Sequence, residues 1–304
     1  MNRVLFLFLD GVGLGADDQR SNPFTRACMP NLNGLLEGRR LLGDLRAFST
    51  ERVSFVPTDA CLGVAGMPQS ASGQGAILTG INVPLHIGKH WGPKPNVEIK
   101  AMLQENNLFQ HLLNRGCSVR LANAYPPAFL QAIESGRRGL SAIQLAIKTA
   151  GVSLCTEADL RNGRAFAADF TGESWRSQLG IEDTPVLLPE DAGRRVAWAA
   201  REYGLLLFDH WITDVIGHRG SMDEAIALLE RLDAVLGGIL NAWRAENGLL
   251  LIASDHGNLE DKSTRRHTRN RVPVLIMGKG HRRVIEKITD ISDITPALLD
   301  YLAR

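Results

Sequence analysis

The sequence predicts an α/β protein: a three-layer α/β/α sandwich around a mostly parallel sheet, interrupted by a small inserted cap domain. Three observations carry that expectation. Apolar runs of strand length recur as RVLFLFLD (3–10), YGLLLFDH (203–210), GLLLIASD (248–255) and VPVLIMG (272–278), each ending at a turn or a polar residue. A strand that is apolar at every position rather than at alternate ones is covered on both faces, as in parallel sheets flanked by helices. A long amphipathic stretch separates the second run from the third, and strand–helix–strand alternation builds such sheets.

The elements follow in order. Val4–Leu9 is the first buried strand, and it runs into Asp10 and a loop containing Gly11, Gly13 and Gly15. GMPQSASGQGAILTG (66–80) reads as a helix start, with Pro68 ahead of Ser70 and an apolar helical run behind it. From about residue 91 to residue 192 strand signals fade, and GPKPN, NAYPPAF, ESGRRG and DFTGES punctuate the chain with Gly and Pro. This divides the protein into a discontinuous core, 1–90 with 193–304, and an inserted cap, 91–192. After the second strand, SMDEAIALLERLDAVLGGILNAW carries Ile226, Leu229, Leu232, Val235, Leu236 and Ile239 at helical spacing. Ser221 and Glu224 form a capping box at its start.

Composition narrows the class of partner. The chain has 304 residues, enough for one large domain or a domain with an insert, and a formal net charge of +1. A balanced charge gives no basis for general nucleic-acid or membrane-surface binding, while a local site for a small anion fits within it. Cys28, Cys61, Cys117 and Cys155 show no zinc-ribbon or CxxC spacing and read as buried small hydrophobes in a reducing compartment. The run Val4–Leu9 is too short for a signal peptide or a membrane span. The expected location is the cytoplasm, with no obligate protein partner.

Chemistry-bearing residues gather at strand ends. Asp255 and His256 stand together in SDHGNLED, just past the third run. Asp214 and His218 in TDVIGHRG are four apart, so one helical turn puts them on the same face. His267 precedes the fourth run. With Asp10, these six side chains are ligands for two divalent ions, and two close metals suit phosphoryl transfer. Ser70, at a helix N-terminus, is the candidate nucleophile, with Ser72 as the alternative. A phosphate is favoured there by the helix dipole and free N–H groups. The glycine loop also fits GxGxxA, the loose dinucleotide fingerprint, but Asn22-Pro23 stand where a helix should already have begun. No acidic residue follows about twenty positions on at a second strand end. Asp10 therefore reads as a ligand, and the glycines as room for backbone beside it.

The order Asp-Gly, Ser before an ILTG helix, DxxxH, SDHGN and HTxNxVP resembles the alkaline phosphatase superfamily. Within it, the likeness is to the metal-dependent phosphomutase branch of cofactor-independent phosphoglycerate mutases and phosphopentomutases. It covers roughly 1–90 and 200–304. The resemblance implies that Asp10, Asp255 and His256 hold one metal together with Ser70, and that Asp214, His218 and His267 hold the second. Ser70 fits the nucleophile by lying three residues before Gly73 and ten before Gly80. Mutases of the branch carry a histidine where Gln74 stands here, and GAILTG looks more like the hydrolase members. Ser72 and Gln74 stand where the sulfatase signature requires Pro and Arg. The cap is shorter than in a phosphoglycerate mutase, and Lys89, His90, Arg137 and Arg138 are its candidate substrate contacts.

The expected function is phosphoryl transfer on a small phosphorylated metabolite through a phosphoserine, assisted by two ions of Mn2+ or Zn2+. A phosphomonoester hydrolase is the first reading and a phosphomutase the second. A metal-binding protein without activity is third, disfavoured because the ligands and the nucleophile occur together.

Overall fold

Seven strands form one sheet in the computed structural model of the chain, which describes residues 2–303. They are β1 (Val4–Leu9), β2 (Phe48–Ser49), β3 (Val53–Thr58), β4 (Val119–Leu121), β5 (Leu205–His210), β6 (Leu249–Ala253) and β7 (Val272–Met277). Their order across the sheet is β2-β3-β7-β6-β1-β5-β4. β1 pairs in parallel with β5, from Val4 opposite Leu205 to Leu9 opposite His210, and in parallel with β6. The carboxyl ends of these three buried strands therefore meet at one edge, where ligands collect in such sheets.

Both faces are apolar because the pleat sends successive side chains to opposite sides. Val4, Phe6 and Phe8 point into one core, with helices that include Ser70–Thr79, Val97–Glu105, Leu108–Asn114 and Ala142–Thr149. Leu5, Leu7 and Leu9 point into the other, against Pro189–Ala200 and Met222–Ala242. That last helix begins where the sequence places it: the Ser221 side chain accepts from Glu224 N–H, and the Glu224 carboxylate accepts from Ser221 N–H.

Five of the seven strands run the same way, and the sheet is mixed because β7 and the short β2 run against them. β7 runs antiparallel to β6, and β3 antiparallel to β7. The chain between β6 and β7 contains no helix, so no crossover exists to turn β7 parallel. β3 was not legible as a strand because VSFVPT mixes Ser54 and Pro57 into the apolar pattern. Pro57 is tolerated there because β2 covers only Phe55 and Ser54 of its flank.

The inserted cap also needs correction. β4 is the sheet's edge strand, paired with β5, and helices between 97 and 149 pack in the first core beside β1. A one-strand extension with short helices gives weak sequence periodicity, so it looked like an insertion. Only a small separate cluster forms further along, where Cys155, Ala165, Ala167 and Trp175 pack with Ala124. Cys117 and Cys155 are buried as expected, but Cys28 is exposed and Cys61 partly so. No helix among the described residues is long and apolar enough to cross a membrane.

One buried carboxylate ties the second helical layer together. Asp233 accepts from the N–H groups of Asn31 (3.1 Å) and Leu32 (2.7 Å), capping the helix Pro30–Leu35, which has no side-chain cap of its own. Asp233→Ala should lower stability by about 2–3 kcal/mol, since it leaves two buried donors unpaired. Urea denaturation should show a lower midpoint at unchanged slope, with metal content unaffected.

Candidate active site

Four segments deliver the candidate ligands to one edge. Asp10 follows β1, and Asp255 and His256 follow β6. Asp214 and His218 lie one turn apart on the helix Ile212–Arg219 that follows β5. His267 arrives from the opposite direction, ahead of β7, whose antiparallel course returns the chain to this edge. Asp10, Asp255 and His256 form one group of ligand atoms within 4.8 Å of each other, and Asp214, His256 and His267 form a second. His218 adjoins the second group: its Nε2 is 3.3 Å from Asp214 Oδ2 and 3.1 Å from His267 Nε2. His256 and His267 stack with centroids 3.8 Å apart. All six side chains that the sequence singled out as ligands are thus brought together.

The donor set fits divalent cations. His218 Nδ1 lies 2.6 Å from the Arg265 carbonyl and His267 Nδ1 lies 2.7 Å from that of Pro68. A carbonyl accepts, so each Nδ1 carries a proton, and each Nε2, directed at the Asp214 carboxylate at 3.3 and 3.5 Å, is the ring atom that could ligate a metal once it gives up its own proton. In the first group, Asp10 Oδ1 and Asp255 Oδ2 are buried and face His256 Nε2, at 3.3 and 3.6 Å, with no other polar partner. Acceptors facing acceptors in a dry pocket require a positive charge between them. These are two candidate metal sites, and N/O donors of this kind accept several first-row ions.

The charges of the protein alone express the same demand. Burial and the neighbouring Asp255 push Asp10 up to about 7. Burial, with the Asp214 charge adding to it, pushes Asp255 up to about 6. For His256 burial opposes protonation, but Asp255, Asp10 and Asp214 outweigh it and raise the imidazole to about 10. Asp214 moves the other way: burial is outweighed by His218 and His267, which hold it below the ordinary carboxylate range. Protons therefore occupy, in part, the role a cation would take.

Ser70 is the first residue of its helix, nearly buried, with its Oγ 3.0 Å from His256 Nε2. The N–H groups of Ser70 and Ala71 have no acceptor among the described residues. Ser72 is committed elsewhere. It is fully buried, its Oγ donates to the Gln69 carbonyl, and it exchanges hydrogen bonds with the backbone of Trp91. Gln74 Nε2 donates to Asp10 Oδ2 at 3.2 Å, so the residue that departs from the mutase pattern orients a candidate ligand.

Several supporting residues escaped the sequence reading. Glu260, fully buried, accepts from Gly13 N–H, Asn258 N–H, Thr268 Oγ1 and Asn270 Nδ2 at 2.5–3.0 Å. It thereby joins the three loops that carry Asp10, Asp255–His256 and His267. Gly13 and Gly257 press against its carboxylate so closely that a Cβ at either would overlap it. This is the physical use of two glycines in that region. The glycine loop does not open a helix; the next element is the short turn Pro23–Thr25. Asn258 donates to Asp214 Oδ1 at 2.7 Å, and Lys262 donates to the carbonyls of Ile216 and Gly217 at the end of the Asp214–His218 helix. Only the position of Asn258 and Glu260 within SDHGNLED could have signalled them.

The candidate substrate contacts divide. Lys89 sits over the Trp91 ring, and His90 faces the Val64 carbonyl. Arg137 bonds Ser135 on the surface, and Arg138 lies over the Phe129 ring. Of these, Arg138 comes within electrostatic reach of Lys94, a residue the sequence did not single out.

Fold and site together define an α/β protein with two candidate metal sites at the carboxyl edge of its sheet. A sequence model of the Metalloenzyme superfamily matches residues 191–303, the stretch that contains Asp214, His218, Asp255, His256 and His267. The 2,3-bisphosphoglycerate-independent phosphoglycerate mutase of Thiobacillus denitrificans is 34% identical over 110 residues, 34% of this chain and 21% of that protein. The mutase of the same name from Acaryochloris marina is 38% identical over 117 residues, 34% of this chain and 22% of its own length. The matched stretches thus span about a fifth of these relatives. Among solved structures, the PH0037 protein of Pyrococcus horikoshii gives a TM-score of 0.58 at 16% identity, covering 99% of this chain and 96% of that one. Alkaline phosphatase from the Antarctic bacterium TAB5 gives 0.53 at 13% identity, covering 99% and 97%. At such identities the two structures speak to the fold alone. Residues 191–303 thus match the Metalloenzyme superfamily, and about a third of the chain is distantly similar to 2,3-bisphosphoglycerate-independent phosphoglycerate mutases.

The charge demand yields a pH signature. Asp10 and His256 both have pKa values raised by folding, so their contributions are present at low pH and lost as pH rises toward about 7 and about 10 respectively. Metal-free protein in EDTA should therefore melt at lower temperature as pH rises from about 6.5 to about 9. Manganese should raise the melting temperature most at the alkaline end, because ions replace those protons. Calorimetry with and without metal checks this; a metal-free melting temperature that rises with pH would contradict it.

Proposed function

We propose that this chain is a phosphomonoester hydrolase acting on a small phosphorylated metabolite, with Ser70 as nucleophile and two divalent ions, Mn2+ or Zn2+. The observation that carries the reading is the serine itself. Its hydroxyl stands at a helix N-terminus, 3.0 Å from His256 and beside two buried carboxylate oxygens. Asp10, Asp255, His256 and Ser70 would hold one ion, and Asp214, His218 and His267 the other. Bound there, the ions would favour ionisation of the Ser70 hydroxyl and neutralise charge on phosphoryl oxygens.

The chain's own groups then account for the rest. Ser70 Oγ, its proton lost to solvent, forms a bond to phosphorus while the ester P–O bond breaks and the leaving alkoxide takes a proton from water. The unpaired N–H groups of Ser70 and Ala71 face developing negative charge, where preorganised donors lower the barrier. Water then attacks the phosphoserine, restoring the hydroxyl and releasing phosphate. We assign substrate selectivity to residues within 91–192.

A phosphomutase is the second reading, favoured by the likeness of the matched third of the chain to phosphoglycerate mutases. It needs the substrate to remain bound and accept the group at another hydroxyl.

Manganese-loaded protein should release phosphate from an aryl phosphate, and Ser70→Ala should lower the rate at least ~1,000-fold while retaining its fold. No phosphate from either protein, with esters isomerised instead, would select the mutase. Metal binding without either product would leave neither enzyme reading standing.

A further inference from the structure

One buried acid at the same edge belongs to neither ligand group. Asp209, the next-to-last residue of β5, is 3% exposed, and its Oδ1 has no hydrogen-bond partner. Its backbone is fixed by Asn123, whose side chain accepts from Asp209 N–H at 2.8 Å and donates to its carbonyl at 2.7 Å. In the register of the parallel pair Asp209 lies opposite Phe8. It therefore shares the face of the sheet on which Phe8 and the Ser70 helix pack. An unpaired carboxylate held there is costly unless it serves a cation or a ligand. Burial and the nearby Asp10 make its ionisation unfavourable, and Lys94 is the cation that offsets them.

Lys94 belongs to a loop clamped onto the helix that begins at Ser70. Trp91 exchanges hydrogen bonds with Ser72, its carbonyl accepting from Ser72 N–H at 2.9 Å and its N–H donating to Ser72 Oγ at 3.0 Å. Gly92 abuts the Ser70 nitrogen so closely that a Cβ would lie 3.3 Å away. The Trp91 indole N–H then donates to the Lys94 carbonyl at 2.9 Å, which fixes the loop at Lys94 itself. The Lys94 ammonium is in the fields of Asp209, Asp10 and Arg138 together. Arg138 is held over Phe129, which stacks on Tyr125 with centroids 4.9 Å apart.

We propose that Lys94 is the cation that grips the phosphoryl oxygens of a substrate at Ser70, and that Asp209 is the positioning residue that aims it. The proposal rests on the phosphoryl-transfer reading and adds its anion-binding element. Among the described residues the Lys94 ammonium forms no ion pair, so on its flexible stem it is available to a phosphate while remaining in the field of Asp209. Arg138 repels Lys94 from the far side and adds positive potential for a dianion. The free N–H groups at the start of the Ser70 helix supply the remaining donors.

The test is calorimetric binding of inorganic phosphate to the manganese-loaded full chain, beside metal content and melting temperature. Lys94→Met should weaken phosphate binding at least ~10-fold, with Lys94→Arg recovering most of it, as for a charge-assisted hydrogen bond. Asp209→Asn should weaken binding several-fold while keeping two bound ions and an unchanged or higher melting temperature. A purely structural Asp209 would alter the melting temperature and leave phosphate affinity alone. Phosphate affinity of Lys94→Met within twofold of wild type overturns the proposal, as does loss of an ion in Asp209→Asn, which would make that residue a ligand. If either occurs while wild type still releases phosphate from esters, the hydrolase reading survives without this residue assignment. If wild type neither binds phosphate nor releases it, both fall.

Discussion

Buried negative charge at the end of a sheet is the constraint on which this structure turns. Asp10, Asp214 and Asp255 converge where parallel strands end, in a region dry enough that Asp255 and His256 are wholly buried. Carboxylates so placed repel one another and lose their hydration, and the imidazoles beside them present lone pairs, not protons, when neutral. Cations are the natural resolution. The pKa values of Asp10 and His256, both displaced toward the protonated form, show how strongly the pocket draws positive charge even from solvent.

Holding that arrangement open takes a separate layer of bonding. Glu260 sits behind the ligands as an acid of the opposite kind, satisfied by four donors and without need of a metal. By taking its donors from three loops it sets their spacing, and Gly13 and Gly257 make room for it. Asn258, Gln74 and Lys262 act likewise on Asp214, Asp10 and the helix that bears His218. Each ligand is thus fixed by a neighbour that does not itself belong to the ligand groups, which is how a site keeps its geometry before anything binds.

The part of the chain between the two motif-bearing segments is less an appendage than its sequence suggests. β4 extends the sheet beside β5, and Asn123 just beyond it clamps Asp209. The loop 89–96 rests on the Ser70 helix. Residues outside the ligand motifs thereby approach Ser70, the proposed nucleophile, so the same segments build the core and border the candidate site.

The sequence by itself determined the buried strands, the capped helix Met222–Ala242, and the identity of all six candidate ligands. These are local matters: an apolar run, a Ser-x-x-Glu box, an acid or histidine beside a strand end. Ser70 was legible by its spacing to Gly73 and Gly80, and the structure adds that Ser72 is already hydrogen-bonded. What only the tertiary structure decided is pairing and proximity. The direction of β7 depends on a connection without a helix, and that direction is what returns His267 to the edge. The membership of β3 and β4 depends on neighbours that tolerate Pro57 or a three-residue strand. Glu260, Asp209 and Lys94 carry no periodic or motif signal. Their significance lies in charge acting between Asp209 and Lys94 across more than a hundred residues of chain and in hydrogen bonds that draw three loops to Glu260, because both act through space and not along the sequence.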